Sequence, residues 1–141
     1  MAILSVDRIS VQASASDKTE AIRKAGELLV SSGCVNPAYI DGMLAREKTM
    51  STYLGNGVAI PHGEFENRGD IHKTGLSVLQ VPQGVLWEDD EKAYLVIGIA
   101  ASSDEHVGVL SRLAEVIEDE DMTKRLIETT DPKLILQVLG E

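Results

Sequence analysis

The sequence has 141 residues, of which 43% are hydrophobic and 26% charged, as is typical of one compact globular domain. Asp and Glu number 23 against 13 Lys and Arg, so the formal net charge of −10 repels phosphate backbones and anionic lipid headgroups. Nucleic acid and membrane surfaces are therefore excluded as first candidates for a partner. The excess acid lies in residues 71–141, which hold fourteen acidic and six basic side chains and would suit a basic protein surface.

The cysteine content and the N-terminus indicate a reducing compartment. Cys34 is the single cysteine, so no internal disulfide forms, and no Cys/His spacing typical of a zinc site is present. The longest apolar run, residues 94–101, is far shorter than a membrane-spanning helix, and the N-terminus has no signal-peptide pattern. We therefore expect a cytoplasmic protein with no metal, no cofactor and no membrane insertion, in which Cys34 is a small buried side chain.

Helix signals occupy the first third of the chain. Asp17 is a predicted N-cap with Glu20 three residues later, and Gly33 is a predicted stop. A second helix is predicted from Asn36 as N-cap and Pro37 as the first helical residue. The inward positions are Ile22, Ala25, Leu28 and Leu29 in the first helix and Ile40, Met43 and Leu44 in the second, with Arg46 near the end of the second helix.

Apolar runs and amphipathic segments alternate through the remainder. Three runs have the length and composition of strands, namely residues 58–60, 76–81 and 94–100. The last of these is apolar on both faces, which favours a central strand in a covered sheet. Helices are then predicted at residues 104–118, 121–128 and 133–139. The inward face of the first of them is predicted to consist of Val107, Leu110, Leu113, Ala114 and Ile117.

This alternation predicts one α/β domain over residues 1–141, with a mixed β-sheet flanked by helices on both faces. No repeat or linker interrupts it. Residues 83–92, with Gly84 and the acidic run 88–91, are the predicted loop. Within that loop we expect Trp87 to pin the segment to the core.

One segment concentrates chemical features: Gly55-Asn56-Gly57-Val58-Ala59-Ile60-Pro61-His62-Gly63. A glycine-rich turn leads into a short strand that Pro61 ends, so His62 is delivered to a strand end in a defined direction. Near neutral pH an imidazole is largely unprotonated, and one ring nitrogen can attack an electrophile while the other is held by a hydrogen bond. His62 is therefore a candidate nucleophile, whereas His72, among charged and turn-forming residues, is expected to be a surface side chain.

Nucleotide-binding signatures are missing from this segment. The pair Gly55 and Gly57 has no third glycine at dinucleotide-binding spacing, and the chain has no Walker A sequence. A nucleotide-driven kinase would lack its phosphate cradle. If His62 handles phosphate, the predicted donor is a protein.

The same segment resembles the active-site signature of the mannitol/fructose-type enzyme IIA family of the bacterial phosphotransferase system. The similarity to the mannitol branch of this family extends along the chain, through residues 45–48, 75–80, 84–85 and 95–101, and through Asp104-Glu105-His106. One departure is Glu64, which stands where a small hydroxyl residue is expected after the motif and changes the electrostatics beside His62.

The resemblance implies that His62 accepts a phosphoryl group from the phosphohistidine of HPr and passes it to a cysteine of the mannitol enzyme IIB, either alone or as part of IICB. Arg46 corresponds to an active-site arginine that stabilises the phosphoryl group, and its planar fork suits phosphate oxygens. His106 corresponds to an assisting histidine beside the nucleophile. Asn56 is a candidate helper through its side-chain amide, with turn formation as an equal alternative.

Two other functions remain open at this point. In a regulatory domain, phosphorylation of His62 would switch a binding surface instead of supplying a sugar permease. In a hydrolase, His62 and His106 would act as acid and base, or as metal ligands with a carboxylate. The hydrolase would turn over without a protein donor, and a metal site would need a third ligand that the sequence does not place.

Overall fold

The computed structural model describes residues 3–101 and 103–140, without the side chains of residues 65 and 103–106. The strands are β1 (Ile9–Ser10), β2 (Tyr53–Gly55), β3 (Val58–Ala59), β4 (Gly75–Glu88) and β5 (Glu91–Ala100). The helices are α1 (Lys18–Ser31), α2 (Ala38–Thr49), α3 (Ser103–Glu118), α4 (Glu120–Glu128) and α5 (Pro132–Leu139). Short 3-10 helices cover Val6–Arg8 and Phe65–Asp70.

The strands form one mixed sheet in the order β1-β4-β5-β3-β2. β4 and β5 are antiparallel, whereas β1 runs parallel to β4 and β3 runs parallel to β5. β5 therefore lies at the centre of the sheet, as its continuous apolar sequence predicts. The predicted α/β class with a mixed sheet is confirmed.

Two hydrophobic clusters lie on opposite faces of this sheet because successive strand side chains alternate between faces. Helices α1 and α2 cover one face through residues such as Ile22, Leu29 and Met43. Helices α3, α4 and α5 cover the other, where Leu113 and Ile135 are buried. No helix among the described residues has the length and apolar character needed to cross a bilayer.

Helix starts follow local signals only in part. The Asp17 side chain accepts a hydrogen bond from Glu20 N at 2.8 Å, as predicted for α1. Pro37 is helical, with φ −57° and ψ −28°, but Asn36 does not cap α2 with its side chain. The buried Asn36 Oδ1 has no hydrogen-bond partner among the described residues, so the predicted cap at Asn36 is wrong.

The predicted loop at residues 83–92 is also wrong, because it is the end of a long β-hairpin. β4 continues to Glu88 and β5 begins at Glu91, leaving Asp89 and Asp90 as the turn. A register shift between Gln80 and Val85 interrupts the alternation of apolar side chains, which hides the strand in the sequence.

Trp87 and Cys34 take the predicted positions. The Trp87 side chain is only 4% exposed and its Nε1 donates to Glu47 Oε2 at 3.1 Å, so it pins the hairpin to α2. Cys34 is fully buried and unpaired. Val107 is the exception among the predicted core positions, since it is 70% exposed. The helical face that packs on the sheet begins later, at Val109 and Leu110, because Val107 borders an open cleft.

Candidate functional site

His62 lies just beyond the end of β3, beside the carboxyl-terminal end of the central strand. Ile60 N donates to Thr52 O at 3.0 Å, and Ile99 N donates to Pro61 O at 3.0 Å. His62 itself forms an isolated parallel bridge with Ile99 of β5. The residues that precede the histidine are therefore tied to the sheet on both sides. The prediction that Pro61 ends the strand is wrong, because β3 ends at Ala59 and pairing with β5 continues past Pro61 to His62.

The contacts of the imidazole determine which nitrogen can react. His62 Nδ1 lies 2.8 Å from the carbonyl oxygen of Ile60. Because a carbonyl oxygen can only accept, Nδ1 carries the proton of the neutral ring, and Nε2 is then the unprotonated nitrogen. The side chain is only 9% exposed, so its orientation is held by the surrounding chain.

An open cleft of about 500 Å³ contains both His62 and Arg46, which are separated in the sequence. Arg46 is half-buried near the end of α2, and its Nη1 donates to Met50 O at 2.7 Å. This bond uses one of the five N–H donors of the guanidinium and orients the group. The structure thus places a planar cation and an imidazole in one cavity, as an anion-transfer site requires. The cleft is lined by Tyr39, Arg46, His62, Gly63, Glu64, Glu66, Arg68, Ile71, Ala101 and Val107.

Two carboxyl groups, Glu64 and Glu66, lie in the same cleft. A hydrogen bond with Glu66 raises the pKa of Glu64, desolvation and the Glu66 charge add to this, and Arg46 opposes it. Two adjacent carboxylates repel each other, so a shared proton is favoured. The side chain that departs from the family pattern therefore contributes a charge that depends on pH beside the nucleophile.

The cleft also contains Arg68, which sequence reasoning missed. Arg68 lies in the 3-10 helix Phe65–Asp70, directly after the histidine segment. The signal for this short helix is the spacing of Glu64 and Asn67, whose side chains and main chains form a reciprocal capping box. Recognition of that box would have placed a second arginine close to His62.

Tyr39 is a further unpredicted residue of the cleft wall. Its hydroxyl donates to Ile99 O at 2.8 Å and accepts from Gly63 N at 2.9 Å. The side chain is 3% exposed, and desolvation raises the pKa of the phenol, so the hydroxyl keeps the proton that it donates. No local sequence signal links this residue of α2 to the histidine segment, because the two meet only through the packing of α2 on the sheet.

Asn56 does not line the cleft. Its backbone has φ 51°, in the left-handed region, and its Nδ2 donates to Ile117 O at 2.8 Å. The amide thus ties the turn to the end of α3 and contacts nothing in the cleft, so the alternative of turn formation is the one that the geometry supports.

We expect Asn56→Gly to leave unchanged the phosphoryl transfer that the family resemblance implies, and to lower the free energy of unfolding by about 1 kcal/mol, since glycine keeps the left-handed turn but loses the bond to Ile117. Urea unfolding and a transfer assay on the same preparation check both parts. If the variant transferred more than about tenfold more slowly at unchanged stability, Asn56 would be a functional residue of the transfer and not only a turn former.

The other two histidines of the chain are His72 and His106. His72 is exposed, as predicted. The main chain of His106 belongs to the first turns of α3, and its side chain lies outside the described part of the structure. Within the described residues, no group of three or more His, Cys, Asp or Glu side chains could hold a metal ion.

Comparison with known proteins gives a consistent family assignment. The family described as "Phosphoenolpyruvate-dependent sugar phosphotransferase system, EIIA 2" matches residues 2–141. A multiphosphoryl transfer protein of Escherichia coli O157:H7 is 48% identical over 139 residues, which are 98% of this chain and 37% of that protein. The mannitol-specific EIICBA component of Pasteurella multocida is 45% identical over 97% of this chain and 22% of its own length. The chain thus spans well under half of these curated relatives.

A solved structure is similar over nearly the whole chain. It is the complex of enzyme IIAMTL and phosphorylated enzyme IIBMTL from Escherichia coli, with a TM-score of 0.90 and 42% identity, covering 96% of this chain and 95% of the matched chain. The similarity in sequence and the similarity in fold therefore agree with each other.

Proposed function

We propose that this chain, which belongs to the EIIA 2 family of the phosphoenolpyruvate-dependent sugar phosphotransferase system, accepts a phosphoryl group from phospho-HPr on His62 and passes it to a cysteine of the mannitol enzyme IIB. The observation that carries the proposal is the imidazole geometry. Nδ1 of His62 faces the Ile60 carbonyl at 2.8 Å, and the ring lines the cleft that also holds Arg46.

The transfer follows from this geometry. Nε2 of His62 attacks phosphorus, the new P–N bond forms, and the P–N bond to the HPr histidine breaks. The proton stays on Nδ1, where the Ile60 carbonyl stabilises the positive charge that the ring acquires. In the second exchange the thiolate of enzyme IIB attacks phosphorus, the S–P bond forms, and Nε2 recovers its electron pair.

The positively charged side chains of the cleft stabilise the negative charge in this transfer. The transferred group spreads negative charge over its equatorial oxygens, and aligned donors stabilise that charge. The proposal assigns Arg46 two charge-assisted hydrogen bonds to this group, and the fact that Arg46 lines the same cleft as His62 supports the assignment. His106 is included in the proposal as an assisting group that bonds the phosphoryl oxygens or orients the His62 ring, on the strength of the family resemblance.

The choice of partners rests on the relatives. One is named a mannitol-specific EIICBA component, and the similar solved chain belongs to a complex of IIAMTL with phosphorylated IIBMTL. Mannitol enzyme IIB, alone or within IICB, is therefore the proposed acceptor. A cytoplasmic location completes the proposal, supported by the single buried, unpaired cysteine.

The decisive experiment is incubation with phosphoenolpyruvate, enzyme I and HPr, followed by intact mass measurement. We expect a gain of one phosphoryl mass that is labile to acid, mapped to His62, and lost when mannitol enzyme IIB is added. The omission of HPr is the control. No mass gain in the complete mixture contradicts phosphoryl acceptance, whereas a gain that mannitol enzyme IIB fails to discharge contradicts the proposed acceptor alone.

We expect Glu64→Ser to accelerate acceptance at pH 8 by a factor on the order of five, because the variant removes a carboxylate that repels the incoming phosphoryl group. Serine retains the ability to cap the 3-10 helix that follows. Because Glu66 raises the pKa of Glu64, the carboxyl takes up its proton at a higher pH than an ordinary glutamate, so the ratio of variant to wild-type rate should fall toward one as the pH is lowered from 8. Quench-flow rates across this range check the trend, and a ratio independent of pH would contradict it.

A further inference from the structure

The Tyr39 hydroxyl lies between two main-chain groups on either side of the cleft wall. It donates to the carbonyl of Ile99 at 2.8 Å and accepts from the amide of Gly63 at 2.9 Å. Gly63 directly follows His62, and Ile99 belongs to the central strand β5. A side chain of α2 therefore connects the histidine segment to the most buried strand of the sheet.

This connection lies at the last pair of a strand ladder. His62 and Ile99 pair in parallel, and Ile99 N donates to Pro61 O at 3.0 Å. In a regular parallel pair the next bond would run from Gly63 N to Ile99 O. The hydroxyl of Tyr39 bonds both of these groups, so a side chain of α2 anchors the chain directly after His62 to β5.

The ring of Tyr39 also limits the space beside the histidine. A Cβ atom added to Gly63 would lie 2.6 Å from Tyr39 Cε1, which is too close for real atoms. The main chain before His62 is held by Ile99 N, and the main chain after it is held by Tyr39. With Nδ1 bonded to the Ile60 carbonyl, the direction of Nε2 depends on both anchors.

We propose that Tyr39 is a positioning residue that aims His62 Nε2 through the main chain of Gly63, without itself contacting the phosphoryl group. The effect on transfer rests on the proposed function. The effect on the imidazole does not, because it is a property of the unphosphorylated chain.

The test is Tyr39→Phe, which removes one oxygen atom and keeps the ring. We expect kcat for acceptance from phospho-HPr to fall on the order of tenfold, while KM for phospho-HPr changes by less than about twofold, because misplaced reacting atoms slow the step without altering the docking surface. The rates are measured at a temperature at which NMR spectra show that the wild type and the variant are both folded, which separates this effect from unfolding.

The chain supplies a matched control in Tyr53. Its hydroxyl accepts from Gly57 N at 3.0 Å and donates to Lys92 O at 3.3 Å, so it also bridges a glycine amide and a β5 carbonyl, but outside the cleft. Tyr53→Phe should keep kcat within about twofold of wild type. An equal kcat for both variants, or a wild-type kcat for Tyr39→Phe, overturns the proposal.

A second measurement needs no partner protein. The ring ¹⁵N shifts of His62 in the unphosphorylated chain report the fraction of neutral ring that carries its proton on Nδ1. We expect this fraction to fall in Tyr39→Phe and to stay unchanged in Tyr53→Phe. An unchanged fraction in Tyr39→Phe overturns the positioning role even where the wild-type chain is phosphorylated normally. A changed fraction in a chain that accepts no phosphoryl group supports the positioning of His62 and contradicts the proposed function instead.

Discussion

His62→Ala should accept no phosphoryl group, with a loss on the order of 10³-fold or more, because the substitution removes the atom that forms the P–N bond. The fold should survive. The side chain lies beyond β3, and its hydrogen bond to the Ile60 carbonyl is worth about 1 kcal/mol. Intact mass after incubation with phosphoenolpyruvate, enzyme I and HPr measures acceptance, and far-UV circular dichroism with urea unfolding measures the fold.

The chain contains a control for the chemistry of a histidine as such. His72 is exposed and does not line the cleft, so His72→Ala should accept phosphate at the wild-type rate. If His62→Ala still gains an acid-labile phosphoryl group at another residue, the nucleophile is assigned wrongly. If His62→Ala is unfolded, the assignment is tested by peptide mapping of the phosphorylated wild type. A phosphoryl group on any residue other than His62 would then show that the nucleophile is assigned wrongly.

Arg46→Lys should reduce the transfer rate by an amount on the order of tenfold or more, although it preserves the charge. The guanidinium is oriented by its bond to Met50 O and can present a planar fork to two phosphoryl oxygens, whereas an ammonium is a point charge on a flexible stem. Rapid-quench measurements of transfer from phospho-HPr to this chain, and from this chain to enzyme IIB, give the rate of each step.

Arg23→Lys is the matched control for this substitution. Arg23 is an exposed residue of α1 that does not line the cleft, so its replacement should leave both rates unchanged. Salt separates geometry from long-range attraction, since attraction alone would be screened alike in wild type and variant. If Arg46→Lys transfers at a rate close to wild type and with equal salt dependence, Arg46 is a solvated charge and not a ligand of the phosphoryl group.

Local chemistry along the chain is sufficient for most of the architecture. Asp17 begins α1 because a carboxylate three residues before a free amide caps it, and β5 is central because only a strand covered on both faces can be continuously apolar. Pro61 restricts the backbone directly before His62 because its ring fixes φ. Each of these follows from neighbours in sequence, and so does the choice of His62 as the candidate nucleophile.

The predictions that fail involve a contact from outside the segment or a local irregularity. The hairpin at residues 83–92 was hidden because a register shift breaks the alternation, and Trp87 is buried there by contact with Glu47 of α2. Asn56 is not a failed prediction, since a helper and a turn former were equal alternatives, but its bond to the carbonyl of Ile117 at the end of α3 is a contact that no local pattern reveals.

The sequence by itself determined the fold class, the five helices, three of the five strands and a candidate nucleophile, because capping, periodicity and proline act between near neighbours. Only the tertiary structure decided which side chains surround that nucleophile. Arg46 reaches the cavity of His62, Glu64 is paired with Glu66, and Tyr39 bridges Gly63 to Ile99. The cavity and the tyrosine bridge depend on how α2 packs against the end of β5, and the free energy of that packing is distributed over the whole core and not encoded in any one segment.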